Sequence, residues 1–369
     1  MTEERWRKRG LNMKESGAEQ TVLITGAAGF IGFHLTMAML REKGKAVRIV
    51  GIDNLNDYYD PALKRERLFL AEEEQKKQRK AGGSSSFLFI QADVADEKAV
   101  AQIFEDYKPS LVLHLAAQAG VRYSVDHPKE YIRTNIAGFF NILEACRSLR
   151  EKGEPLHLVF ASSSSVYGDN QKIPYSVDDK TDSPASLYAA TKKSGELLAR
   201  AYSRLYKIPA TGLRFFTVYG PFGRPDMAYF KFTERMVKGI PITLYNYGDM
   251  RRDFTYVDDV VGCILKISGH PPKSENGCVP FRIFNIGNSH PEKLEDFVCL
   301  LEESLKRHGV IKKDTEREYL PMQPGDVYQT YADMSEYEKE FGAVSFTRLR
   351  EGLDRFAGWY AEYQRQKRA

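Results

Sequence analysis

From Thr21 to about residue 215, short apolar runs alternate with segments of helical period, and that order leaves few folds open. Apolar runs separated by long helical segments cannot pair as hairpins. They pair in parallel, with each intervening helix crossing one face of the sheet. The spacing predicts strands at 21–25, 47–52, 87–91, 111–115, 156–161 and 210–215, each short and apolar as a sheet covered on both faces requires. Helical period lies between them, including 127–150 and 186–207, and the charged stretch 71–86 (AEEEQKKQRKAGGSSS) reads as a solvated helix end running into a Gly/Ser loop. Beyond residue 215 the alternation breaks down among prolines and glycines, from Pro221 to Pro324. The fold class expected is α/β, a doubly wound parallel sheet with a smaller C-terminal substrate-binding lobe. Residues 1–20 form a polar extension, 21–215 the first domain, and 216–369 mainly the second lobe, with segments returning to the first.

Charge excludes one class of partner. Lys and Arg total 54 against 50 Asp and Glu, a balance of +4, and no basic face with interleaved aromatics marks a nucleic-acid channel. The four cysteines, Cys146, Cys263, Cys278 and Cys299, form no CxxC pair and lie near no His at metal-ligand spacing, so no metal is expected. They read as ordinary buried thiols in a reducing compartment. The first twenty residues hold no signal-like apolar run, and no segment reaches the roughly 18 apolar residues of a membrane span. A soluble, cytoplasmic protein is expected.

The first strand runs directly into Thr25-Gly-Ala-Ala-Gly-Phe-Ile-Gly32. Gly26, Gly29 and Gly32 there allow a tight turn, close approach of backbone to a pyrophosphate, and packing of the following helix on the strand. The second strand ends at Asp53, at the distance where a carboxylate accepts hydrogen bonds from an adenosine ribose. Together these predict a dinucleotide-binding Rossmann half, and Asp53 would repel a 2′-phosphate, favouring NAD over NADP.

Tyr188 and Lys192 stand four apart on one predicted helix face. A phenol of pKa near 10 is a poor base at neutral pH, and an ammonium beside it favours the phenolate. Upstream, Ala161-Ser-Ser-Ser-Ser-Val-Tyr-Gly168 puts a hydroxyl-rich turn where a strand should end, at the carboxyl edge where open parallel sheets bind ligands.

These motifs resemble the extended short-chain dehydrogenase/reductases, and among them the nucleotide-sugar 4-epimerases. The likeness runs from about residue 20 to 355 and includes TGAAGFIG, HLAAQAGVRYS (114–124), the serine turn, YAATK, LRFFTVYGP (213–221), GRPDMA (223–228) and RRDFTYVDD (251–259). The resemblance implies Ser163 on the sugar 4-hydroxyl, Tyr188 as the base, and Lys192 lowering its pKa and holding the nicotinamide ribose. It also implies Phe30, Ile31, Asn54, Asp93, Val94, Leu115, Ala116, Ala117, Gln118, Asn135 and Phe215 around NAD. A homodimer through the 127–150 and 186–207 helices is implied in the same way.

Within that group the turn before Tyr167 separates reactions. Family dehydratases and decarboxylases usually carry an acidic residue there, whereas this chain has Ser164 and Ser165. Oxidation and re-reduction at carbon 4 is then favoured over elimination. The segment from Phe216 to Ala228 resembles the UDP-glucuronate 4-epimerases more than the UDP-galactose 4-epimerases, which tend to have Asn-Pro at Thr217-Val218. Arg224 can form a bidentate contact with a carboxylate, and Thr217, Ser164 and Ser165 can add hydrogen bonds. Arg224 could instead pair with Asp226 or meet a phosphate. By resemblance Arg252 would reach the diphosphate and Tyr245 would stack on uracil, with Asp326 a further nucleotide contact. The other readings are a UDP-glucose/UDP-galactose 4-epimerase, a decarboxylase, and a non-catalytic NAD-binding scaffold.

Overall fold

In a computed structural model, which describes residues 20–274, 277–322 and 328–368, the first six strands fall within one or two residues of expectation. They are β1 (Gln20–Thr25), β2 (Val47–Asp53), β3 (Ser86–Gln91), β4 (Leu111–His114), β5 (His157–Ser163) and β6 (Ala210–Phe215). Then come β7 (Thr217–Tyr219), β8 (Ile242–Tyr245), β9 (Arg251–Tyr256), β10 (Phe281–Ile286), β11 (Pro291–Lys293), β12 (Arg317–Leu320) and β13 (Gln329–Thr330). The main sheet has seven strands in the order β10-β6-β5-β4-β1-β2-β3, all parallel. The chain winds outward from β1 to β3, then returns to the other side of β1 as β4. That reversal opens a crevice at the carboxyl ends of β1 and β4.

Apolar packing explains why these strands sit centrally. Val22, Leu23 and Ile24 of β1 and Val112 and Leu113 of β4 are fully or almost fully buried, each contributing about 1.5–3 kcal/mol by leaving water. Strand β10, from far along the chain, pairs with β6 through register Phe281 to Ala210 and closes that edge of the sheet. A smaller layer forms beside it, where β7, β11 and β13 pair with β9, while β8 pairs with β12.

Three expectations change. The 127–150 segment is no uniform helix: Pro128–Tyr131 leads through a π-helical turn, Ile132–Gly138, into Phe139–Glu151. The widened turn brings Gly138 so close to Val94 that a Cβ there would lie 2.7 Å from Val94 Cγ2. The charged stretch from Ala71 is a helix end running into a loop, as expected, but it is not wholly solvated: it closes helix Pro61–Lys80 with Ala71 and Glu74 buried and Glu74 accepting a 2.9 Å hydrogen bond from Arg41. Of the cysteines, only Cys146 and Cys263 are buried; Cys278 and Cys299 are exposed. Among the described residues no helix is long and apolar enough to cross a membrane.

Candidate active site

A cleft of about 1030 Å³ opens over the carboxyl edge of the sheet, and its floor is backbone. Gly26 turns the chain at φ +72°, donating its N–H to Ile52 O at 2.7 Å. A Cβ on Gly26 would lie 2.9 Å from Ala116 N, and one on Gly32 would lie 2.2 Å from Gly26 O. Only glycine leaves this cradle open. Helix Phe30–Arg41 starts there with Gly29 as N-cap, no side-chain cap and no acid in its first turn, so its leading N–H groups stay available to an anion.

Gly26, Gly29, Phe30, Ile31 and Gly32 line the cleft, as do Asp53, Asn54 and Val94. The strip Leu115, Ala116, Ala117 and Gln118 continues the wall, and Phe215 closes its far end. Asp93 and Asn135 stand behind it. Asp93 accepts hydrogen bonds from Asn54 Nδ2 (3.2 Å), Arg133 Nη2 (2.7 Å) and Ala95 N (2.8 Å). Asn135 clamps Gln118, accepting from its N–H at 2.8 Å and donating to its carbonyl at 3.0 Å. Asp53 accepts from Leu55 N at 2.8 Å and lies 3.8 Å from Lys64 Nζ. Lys64 was not legible as a site residue, yet it lines the cleft and offsets the negative charge of Asp53.

Strand β5 runs on to Ser163, so Ser162 and Ser163 are strand residues and Ser164–Tyr167 is a single 3-10 turn. Ser163 Oγ donates to Ser165 Oγ and accepts from Ser165 N, both at 3.2 Å. Behind it, Ser162 Oγ donates to Glu196 Oε1 at 2.7 Å, and Arg214 grips the same carboxylate with Nε at 2.8 Å and Nη2 at 2.9 Å. Removing one partner from such a buried pair costs about 3–5 kcal/mol. The pair fastens the serine strand to helix Leu187–Tyr206, which carries Tyr188 and Lys192 and is capped by Ser186. Tyr167 is held from another direction, donating to Asn285 Oδ1 at 2.6 Å.

Tyr188 and Lys192 share the cleft with Ser163. Lys192 Nζ donates to Ala161 O at 2.9 Å and lies 5.9 Å from the Tyr188 ring centre. Burial pushes Tyr188 above its ordinary value, opposed by the Ser163 hydroxyl and the Arg224 guanidinium. Lys192 is itself pushed down to about 8, first by burial and then by Arg224.

The opposite wall is made of side chains. Ser164, Ser165, Thr217 and Arg224 all face the cleft. Arg224 pairs with Asp226, donating from Nε to Oδ1 at 3.0 Å and from Nη2 to Oδ2, and Asp226 also accepts from Tyr58 Oη at 3.1 Å. The guanidinium is therefore already gripped along one edge. Tyr245, at the end of β8, faces the cleft with the Arg122 guanidinium 5.2 Å from its ring centre. Arg252, on β9, lines the cleft and donates to Tyr328 O at 3.1 Å. Asp326 lies outside the described residues. Tyr58, Arg122 and Asp226 also line the cleft. Of these, Arg122 lies within the 114–124 motif and Asp226 could be noticed as a neighbour of Arg224, whereas Tyr58 carried no mark in the sequence.

Comparison with known proteins gives this geometry a family. Residues 22–287 match the model of the NAD dependent epimerase/dehydratase family. The chain is 46% identical to UDP-glucuronate 4-epimerase 1 of Arabidopsis thaliana over 353 residues, 93% of this chain and 77% of that one. Its fold is similar to the crystal structure of UDP-glucuronic acid 4-epimerase from Bacillus cereus in complex with UDP-glucuronic acid and NAD. That match has a TM-score of 0.78 and 30% identity, covering 93% of this chain and all of that one. UDP-glucose 4-epimerase of Thermotoga maritima, solved with UDP-glucose, is similar at TM-score 0.73 and 28% identity, over 94% and 100% of the two chains. With its glycine cradle, serine turn and Tyr-Lys helix gathered on one cleft, the chain belongs to the NAD-dependent epimerase/dehydratase family.

Proposed function

We propose that this protein interconverts UDP-glucuronate and UDP-galacturonate by epimerisation at carbon 4, with NAD held in the cleft. The observation that carries the reading is the placement of Arg224, which lines the same cleft as Ser163, Tyr188 and Lys192. A neutral hydroxymethyl group would leave that guanidinium underused, whereas a carboxylate at carbon 6 meets it as a charge-assisted partner. The turn Ser164–Tyr167 offers hydroxyls and no carboxylic acid, which disfavours elimination.

The residues fit the cofactor. Gly26, Gly29 and Gly32 leave the space a pyrophosphate needs, and Phe30 and Ile31 present the helix start. Asp53 and Asn54 would hold the adenosine ribose, Asp93 and Val94 the adenine, Leu115 to Gln118 and Phe215 the length of the molecule, with Asn135 fixing Gln118. Lys192 would hold the nicotinamide ribose. When bound, NAD supplies the hydride acceptor, and in its reduced form the donor, for carbon 4.

Ser163 orients the 4-hydroxyl and Tyr188 takes its proton. Loss of that proton from oxygen together with a hydride from carbon 4 gives the 4-keto sugar, which turns about its diphosphate linkage. Tyr188 then returns the proton to the 4-oxygen as the hydride comes back to the other face of carbon 4. Arg252 and Tyr245 hold the nucleotide through this turn. A 4-keto uronate is a β-keto acid and loses carbon dioxide when its C5–C6 bond aligns with the carbonyl π system. Arg224, Thr217, Ser164 and Ser165 hold the carboxylate out of that alignment.

A homodimer is part of the same reading, supported by exposed Ile132, Phe140 and Leu197 on the two helices that would meet. So is a cytoplasmic setting for polysaccharide precursor synthesis, where NAD and nucleotide sugars are available. Incubating purified protein with UDP-glucuronate and following products by NMR tests the function. An equilibrium mixture of the two uronates, with pentose only a trace beside them, is expected; an inert uronate with active UDP-glucose would transfer the assignment to the neutral-sugar epimerases.

A further inference from the structure

The arm that carries Arg224 is held by the segment that follows the adenosine strand β2, and it is held twice. Arg67, fully buried on helix Pro61–Lys80, donates from Nη2 to Phe222 O at 2.7 Å and from Nη1 to Ala28 O at 2.8 Å. One side chain thus ties the glycine turn to the backbone just before Arg224. Nearer the cleft, Tyr58 Oη reaches Asp226 Oδ2 at 3.1 Å, and Asp226 in turn grips Arg224 along its Nε and Nη2 edge. Tyr58 has little freedom of its own. Its ring stands edge-on to Tyr123 at 4.8 Å, and a Cβ on Gly120, where φ is +101°, would lie 2.4 Å from its hydroxyl.

We infer that Tyr58 and Asp226 are positioning residues that fix the direction of the Arg224 guanidinium, and through it the partition between epimerisation and loss of carbon dioxide. The inference rests on the uronate reading above. A bidentate carboxylate occupies one edge of the planar fork and leaves the Nη1 edge for a second acceptor. Asp226 decides which edge that is. Its own carboxylate remains ionised: burial would raise it, but Arg224 and the Tyr58 hydroxyl hold it below the usual carboxylate range. Burial and the Asp226 charge push the Tyr58 phenol up, so it stays a donor.

The competing reaction is simple to write. The C5–C6 bond of the 4-keto uronate breaks, its electron pair moves into the C4–C5 enolate, carbon dioxide leaves, and C5 takes a proton to give a 4-keto pentose. Alignment of C5–C6 with the carbonyl controls it, and a guanidinium free to swing no longer forbids that alignment.

Asp226 also repels the substrate carboxylate, and this separates positioning from damage. Asp226→Asn removes that repulsion together with the brace. It should lower the KM for UDP-glucuronate while raising the ratio of decarboxylated UDP-pentose products to UDP-galacturonate about tenfold. Tyr58→Phe, which deletes one hydroxyl, should raise the ratio about threefold, and Asp226→Glu should restore it in part. The test follows wild type and these variants on UDP-glucuronate by NMR, with carbon dioxide release and retained NAD measured in parallel. An unchanged ratio in Tyr58→Phe and in every folded Asp226 variant, beside normal wild-type epimerisation, overturns the inference. Should Asp226→Asn fail to fold, Tyr58→Phe alone decides. A wild type inert toward UDP-glucuronate removes the uronate reading, and this inference with it.

Discussion

Under β1 and β4 the cleft is walled by main chain, whereas from Thr217 to Arg252 it is walled by long side chains that hold one another. The first wall is set by strand ends, a left-handed glycine and a contact between Gly32 and Gly26 O with no room for a methyl group. The second is set by Arg224 on Asp226, Asp226 on Tyr58, and Arg122 over Tyr245. A backbone wall fails when an atom is added to it. A side-chain wall fails when a charge or a length changes, and it can do so without disturbing the fold.

The sharpest way to break the first wall is Gly32→Ala, whose Cβ would sit 2.2 Å from Gly26 O. The variant should purify without NAD and lose on the order of 4 kcal/mol of stability, read by nucleotide content after heat release and by urea titration. Tyr188→Phe acts where the walls meet. It should reduce kcat by about 10²–10⁴-fold with bound NAD retained, checked by turnover and nucleotide content together. Loss of NAD in that variant would mean that the tyrosine belongs to the cradle rather than to the chemistry.

Acid should separate the two regions by stability. Burial pushes His114 down to about 3 and His157 down to about 4, and both sit on strands of the main sheet. They stay neutral when folded, while the unfolded chain takes up protons near pH 6.5, so stability present above that value is lost as pH falls from about 6.5 toward 4. Urea midpoints at pH 7 and 4.5 measure this, and His157→Gln should shrink the difference. On the second wall, Arg224→Lys keeps the charge but loses the fork. Preference for UDP-glucuronate over UDP-glucose should fall by about tenfold, with NAD content and midpoint unchanged.

The same contrast explains what could be read from the chain alone. Period and glycine spacing located β1 to β6 and the cradle because local geometry forces both. The serine run marked the turn, although its strand extends two residues further because Ser162 and Ser163 still pair with Arg214 and Phe215 of β6. Tyr58 gave no signal: its partner Asp226 lies 168 residues away, and no local pattern records such a meeting. Lys64 was hidden for a related reason, since a lysine in a charged helix looks solvated until its helix is placed beside Asp53. The behaviour of Tyr188 also needed the fold, because burial, which the sequence does not show, outweighs its favourable neighbours.

Strand β10 and its Asn285 have a temporal consequence. Tyr167, in the turn after the reactive serine, rests on a residue 118 positions later, and Asn285 Nδ2 also donates to the Tyr175 carbonyl at 2.7 Å. During synthesis, which proceeds at roughly 5–20 residues per second, the ribosome has delivered every residue of the serine turn well before the strand that braces it has emerged. The glycine turn and its contact with Ala116 are delivered early, so a nascent chain gains the pyrophosphate end of the seat well before its reactive turn is braced. A chain stalled before Phe281 would have an unpaired β6 edge, a template for association with other chains.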